Sequence, residues 1–143
     1  MYVTCLLGED GKRAYREFFE TLLAAEDGAT LWHCTEGKDR AGLASVLVEY
    51  ALGVPMPHIR ADYLATNLFV RDVAEGILDA LAGHGLLEHV DLDVDSIFYA
   101  DMDYLDAALE AVEQECGGMD AYLAAVLGVG ERERERLREL YLQ

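Results

Sequence analysis

Groups able to carry out phosphate chemistry crowd into one short string, His33-Cys34-Thr35-Glu36-Gly37-Lys38-Asp39-Arg40. Cys34 supplies a thiol that, as a thiolate, is a nucleophile for phosphorus. Arg40 supplies a planar fork of N–H donors matched to two phosphoryl oxygens. Lys38 adds a second cation, and Asp39 a carboxyl that can carry a proton. Gly37 lets the chain turn tightly, so that the main-chain N–H groups of Thr35, Glu36 and their neighbours can approach an anion. His33 is expected to help fix the orientation and electrostatics of Cys34. The Glu36 side chain is expected to face solvent.

Such a loop can act only if the elements on either side aim it. Upstream, the apolar run Ala29-Thr30-Leu31-Trp32-His33 reads as a buried strand. Downstream, 41–52 is apolar nearly all round (Leu43, Val46, Leu47, Val48, Tyr50), which places this helix in the interior. Gly53 stops it and Pro55 confirms the stop. Strand, loop, then helix is an anion-binding arrangement, because the helix N-terminus adds about half a positive charge to the loop amides. A thiol there, with Lys38 and Arg40 nearby, is expected to ionise more readily than a free one.

Elsewhere the pattern is helical. Tyr15, Phe18, Phe19 and Leu22 predict an amphipathic helix over 11–25, ended by Asp27-Gly28. Val70, Val73, Ile77, Leu78 and Leu81 line another, broken by Gly83 and Gly85. The stretch 90–99 has no assignable pattern. Tyr104, Leu105, Ala108, Leu109 and Val112 form a further face, ended by Gly117-Gly118, and shorter helices follow over 121–127 and 131–142. In the last, Glu131/Arg134, Glu133/Arg136 and Glu135/Arg138 stand at i,i+3 and read as a solvated, ion-paired face. No repeat or linker divides the sequence, so 1–143 reads as one domain. A lone strand is not stable without a partner. Either further strands lie in the unassigned stretches, or the sheet is elsewhere.

Composition narrows the function by exclusion. The chain has 143 residues, 52% of them hydrophobic, and a net charge of −17. That charge would repel nucleic acid and anionic membrane surfaces. No apolar run is long enough to span a membrane, and 1–10 lacks a secretory pattern, so the expected compartment is the cytoplasm. Three cysteines without C-x-x-C spacing argue against both a disulfide framework and a structural zinc site. A metal site from His33, His84, His89 and Cys116 has no recognisable ligand spacing. A nucleotide-binding glycine loop would need Gly where Trp32 stands and Ser or Thr where Asp39 stands.

The string resembles H-C-x-x-G-K-D-R-[ST]-G, the signature of a bacterial tyrosine-phosphatase family with dual protein and phosphoinositide activity, within the wider cysteine phosphatases. Asp62-Tyr63-Leu64-Ala65-Thr66-Asn67 is similar to the D-Y-x-x-[ST]-N segment such proteins carry, and Tyr122-Leu123 and Leu127-Gly128 are similar to their C-terminal end. The resemblance implies an α/β fold and hydrolysis of phosphate monoesters on a phosphorylated protein or phosphoinositide, through a phosphocysteine. It casts Cys34 as nucleophile, Arg40 as clamp and residues 35–40 as phosphate binders, with no cofactor or metal; Asp39 reads equally as the available acid or as a structural partner for backbone amides or Lys38. Asp62 is read as a helix-cap partner in preference to a water-positioning group.

The match departs from the family at two points. Ala41 stands where the pattern has Ser or Thr, whose hydroxyl would stabilise the departing thiolate. Family members also carry a substantial portion before the loop that supplies most of the sheet. The chain therefore resembles a C-terminal portion, expected to self-associate or to pair with a complementing N-terminal portion. The alternative function is a phosphate-binding or catalytically impaired fragment that needs a partner chain.

Overall fold

The computed structural model describes residues 1–26, 28–85 and 97–142. Its helices are α1 (Tyr2–Leu7), α2 (Glu9–Leu23), α3 (Arg40–Leu52), α4 (Met56–Ala65), α5 (Asn67–Gly83), α6 (Met102–Cys116), α7 (Met119–Ala121), which runs on into a π-helical turn (Tyr122–Val126), and α8 (Glu131–Tyr141). Among the described residues there is no strand. The chain is mostly helical.

Helix α3 is the hub. Leu43, Ala44, Val46, Leu47, Val48 and Ala51 are all buried, and α1, α4 and α8 pack around it. Helix α2 turns Tyr15, Phe19 and Leu22 inward at the predicted spacing, with Glu9 and Asp10 favourably placed in its first turn. Helix α6 buries Leu105, Ala108 and Val112 and ends on the left-handed Gly117. Two helices escaped the sequence reading. Helices α1 and α4 each bury a single i,i+4 pair, Tyr2 with Leu6 and Ile59 with Tyr63, too few positions to establish a period.

The C-terminal carbonyls that every helix leaves unsatisfied are taken up by side chains from distant elements. The Tyr122 hydroxyl donates to Leu6 O at 2.7 Å, the Tyr141 hydroxyl to Leu22 O at 2.8 Å, and Arg16 Nη2 to Val126 O at 2.6 Å. At the end of α3, Gly53 adopts φ +92° and Val54 N–H reaches back to Glu49 O. Arg134 then donates to Tyr50 O and Ala51 O, and Arg138 to Leu52 O. This corrects the reading of the 131–142 charge run. The three expected pairs give way to Arg134–Asp120, Arg138–Glu131 and a different i,i+3 pair, Arg136–Glu139, because Arg134 and Arg138 are drawn to the negative end of α3.

Two further expectations change. The buried strand over 29–33 is an extended segment without a pairing partner among the described residues, and Leu31 is 87% exposed. A strand needs a neighbour to satisfy its backbone, and none is adjacent. Helix α5 forms as expected, but of its residues only Ala74 is buried; Leu68, Phe69, Val73 and Ile77 are exposed. Part of the unassigned stretch 90–99 falls outside the described residues, as does His89.

The α1–α2 corner depends on a glycine. A Cβ on Gly11 would lie 1.8 Å from the Cys5 carbonyl oxygen, so the helices meet only because that atom is missing. Helix propensity alone would reward Gly11→Ala by about 1 kcal/mol. Overpacking costs about 1–3 kcal/mol or more, and a 1.8 Å approach to rigid backbone puts it above that gain, so Gly11→Ala should lower the melting temperature, measurable by circular dichroism.

Candidate active site

The loop from Cys34 to Arg40 wraps the sulfur in main-chain donors. Gly37 takes φ +82°, a conformation that favours glycine, and its N–H donates to Cys34 Sγ at 3.2 Å. The N–H groups of Ala41 and Glu36 also donate to the sulfur. Burial pushes the Cys34 thiol up, but these amides, helped by the positive charge of Arg40, outweigh it and hold the thiol below its ordinary value. The arrangement suits a thiolate.

Neighbouring helices hold both ends of the loop. The Tyr15 hydroxyl on α2 donates to the Arg40 carbonyl at 3.0 Å. Trp32 Nε1 donates to Ser45 Oγ on α3 at 3.2 Å, and its ring meets Phe18 edge-on at 5.5 Å. Thus Trp32, rather than a sheet, anchors the residues leading into Cys34. His33 Nδ1 lies 3.1 Å from the Cys34 carbonyl oxygen, so its contact is with the main chain and not with the sulfur.

The other loop side chains divide into two groups. Arg40 is exposed, and its Nη2 donates to Thr35 Oγ1 at 3.2 Å. Glu36 is exposed, as expected. Lys38 is buried, and its Nζ donates to Asp39 Oδ1 at 3.1 Å. The same Oδ1 accepts from the Tyr2 hydroxyl at 2.8 Å. Tyr2 in turn lies 2.8 Å, oxygen to oxygen, from Tyr63, whose hydroxyl donates to Asp101 O at 3.3 Å. Cys34, Thr35, Gly37 and Arg40 therefore gather at the sulfur, while Lys38 and Asp39 turn toward α1 and α4.

The segment 62–67 supports this second group. Asn67 binds both Ala100 O, at 2.9 Å, and Ala100 N, at 2.7 Å, locking the chain beside the Tyr63 acceptor. Asp62 is not a cap: it lies inside α4 and shares a hydrogen bond with Glu49 of α3. A cleft of about 250 Å³ runs alongside, lined by Gly37, Lys38, Glu49, Asp62 and Phe69 among others. Burial first, then the Asp62 charge and hydrogen bond, push the Glu49 carboxyl up to about 7. Tyr2, Tyr15 and Glu49 were not singled out by the sequence. Tyr15 carried a signal only as an apolar position, and Tyr2 and Glu49 carried none. Among the described residues no three His, Cys, Asp or Glu side chains gather as a metal site, and no helix is long and apolar enough to cross a membrane.

A family model described as the tyrosine phosphatase family matches residues 1–143. A Cupriavidus necator protein named as a tyrosine-protein phosphatase is 37% identical over 117 residues, covering 80% of this chain and 42% of that one. A tyrosine-protein phosphatase of Nostoc commune is 31% identical over 128 residues, covering 87% and 42%. The triple specificity protein phosphatase of Mycobacterium tuberculosis is 30% identical over 130 residues, covering 85% and 46%. The chain thus spans less than half the length of these relatives.

Two measurements test the electrostatics. Iodoacetamide should alkylate Cys34 with a rate that rises along a curve centred below the free-thiol value of about 8.5, and a rate rising only above it would contradict the amide cradle. Glu49 titrates higher folded than unfolded, so its contribution to stability is full below about 4.3 and is lost as pH rises through about 7. Thermal unfolding across that window should show wild type losing stability relative to Glu49→Gln.

Proposed function

The chain belongs to the tyrosine phosphatase family, and on that premise we propose that it hydrolyses phosphate monoesters through a phosphocysteine on Cys34. The observation that carries the proposal is the sulfur cradle: N–H donors from Gly37, Glu36 and Ala41 converge on one thiol at the start of a buried helix. The thiolate attacks phosphorus, the S–P bond forms as the bond to the leaving oxygen breaks, and Asp39 gives that oxygen a proton. Water then attacks the phosphocysteine, its proton passes to Asp39, and the thiolate departs. Arg40 swings from Thr35 to clamp two oxygens of the transferring group, and the loop amides of residues 35–40 bind the rest. Lys38 keeps Asp39 in place and adds positive charge behind the phosphate. No metal or organic cofactor is required.

Substrates are phosphorylated proteins, phosphotyrosine first, with phosphoinositides as the second class. The names of the relatives, one of them a triple specificity phosphatase, favour a permissive site. The complete fold is α/β, with 29–33 joining a sheet contributed by a complementing portion of chain or a second copy. The unpaired segment and the exposure of Leu31 support this, and sedimentation of the chain alone reads it. A second reading, a phosphate-binding or impaired fragment, is favoured by Ala41, which offers no hydroxyl to the departing thiolate.

The two readings separate on p-nitrophenyl phosphate, whose good leaving group makes little demand on an acid. A burst of phenolate stoichiometric with Cys34 should precede slow steady hydrolysis. Ala41→Ser should speed the steady phase and leave the burst rate nearly unchanged. Cys34→Ser should abolish both phases yet retain phosphate. Phosphate binding without a burst would instead select the binding fragment.

A further inference from the structure

The interior behind the loop holds a chain of three oxygen–oxygen contacts. Asp39 Oδ1 meets the Tyr2 hydroxyl at 2.8 Å, Tyr2 meets Tyr63 at 2.8 Å, and Tyr63 meets the Asp101 carbonyl at 3.3 Å. Two phenols bring two hydrogens to three contacts, so with Asp39 ionised one contact must go empty. The weakest is the last, at 3.3 Å, which leaves Tyr63 donating to Tyr2 and Tyr2 to Asp39. A proton on Oδ1 supplies the missing hydrogen. Then Asp39 donates to Tyr2, Tyr2 to Tyr63 and Tyr63 to Asp101, and every contact is filled.

We infer that Tyr2 and Tyr63 are positioning residues that hold Asp39 in both protonation states by reversing the direction in which their hydroxyls donate. The inference rests on the reading of Asp39 as the proton donor, a group that must be acid in one step and base in the next. As the bond from phosphorus to the leaving oxygen breaks, the Oδ1 proton leaves its contact with Tyr2 and goes to that oxygen. Tyr2 then turns onto Oδ1 and Tyr63 onto Tyr2, and each phenol keeps its own hydrogen. When water attacks the phosphocysteine, its proton returns to Asp39 and both hydroxyls turn back. Two tyrosines thereby do what one fixed donor could not, since a fixed donor would favour the carboxylate alone.

The surroundings fit that task. Burial pushes both phenols above the ordinary tyrosine value, so they stay neutral. Lys38 Nζ donates to the same Oδ1 at 3.1 Å, so that oxygen is held from a second side. Arg40 is turned to Thr35, and the Asp101 side chain is occupied in capping α6 through Asp103 N–H. The Tyr104 ring packs on Tyr2 at 5.9 Å and Asn67 fixes the neighbouring Ala100, so the chain is framed at both ends.

The test is a carbon-13 titration of wild-type protein labelled at the tyrosine ring carbon that bears the hydroxyl. The protein has 8 tyrosines, and Tyr2→Phe and Tyr63→Phe assign the two resonances. Both should shift in a single step whose midpoint matches that of the Asp39 carboxyl carbon, and Asp39→Asn should remove the step. Tyrosine resonances that ignore the Asp39 titration overturn the inference. In single turnover, Tyr63→Phe should slow phenyl phosphate about tenfold more than p-nitrophenyl phosphate, because only the poorer leaving group depends on the acid. Equal losses on both substrates would mark a merely structural tyrosine and also overturn it. The titration is read on resting protein, so a common step without any burst would defeat the proposed hydrolysis and leave the tyrosine pair standing.

Discussion

Helix α3 is apolar nearly all round, and the need to surround it arranges the rest of the protein. A helix of that kind cannot lie on the surface, where each exposed Leu or Val would forgo about 1.5–3 kcal/mol of burial. With α1, α4 and α8 closed around it, its two ends carry much of its polar business. At the N-terminal end, the unsatisfied N–H groups and about half a positive charge meet the sulfur of Cys34. At the C-terminal end, Gly53 turns the chain away, and Arg134 and Arg138 absorb the carbonyls. The same backbone polarity that prepares an anion site at one end thus demands cations at the other.

The state of Cys34 is a contest between burial and hydrogen bonding. Burial alone would keep the thiol protonated. Each hydrogen bond to a charged acceptor contributes about 1.5–3 kcal/mol, and three amide N–H groups point at one sulfur, so the donors prevail. Arg40 contributes less than the amides because its guanidinium is exposed and its field is screened by water. The loop amides, set by the positive φ of Gly37, are therefore the main reason that the thiol is held below its ordinary value.

Tyrosines and arginines do unusual work here. In a chain of net charge −17, several of the few cations serve main-chain carbonyls, Arg134 and Arg138 in addition to their surface carboxylates. Exposed ion pairs contribute little, about 0–1 kcal/mol, whereas a half-buried carbonyl left unsatisfied costs more. Tyr122 and Tyr141 serve α1 and α2 in the same way, and Tyr15 serves the loop through the Arg40 carbonyl. These long side chains let short helices end inside the structure without leaving bare carbonyls. Tyr15 also ties the loop to α2.

The string from His33 to Arg40, the buried character of α3 and the inward faces of α2 and α6 were all legible in the sequence. Each rests on local rules: a helical hydrogen bond spans four residues, and its apolar face repeats within one or two turns. The string around Cys34 and Arg40 is local too, and together with 62–67 and the C-terminal segments it carried the resemblance to the family. What only the tertiary structure decided are contacts across long separations. Tyr2 and Asp39 are 37 residues apart, and Tyr141 and Leu22 are 119 apart. Asp62 was misread as a cap because its partner, Glu49, sits on a different helix. The arginines of 131–142 were assigned to their own helix because i,i+3 neighbours are all that a sequence displays. The run Ala29–His33 read as a strand from its apolar composition, yet a strand exists only by pairing, and pairing is a property of two segments. A sequence can state that 29–33 is suited to a sheet; whether it is in one depends on a neighbour that the local pattern cannot supply.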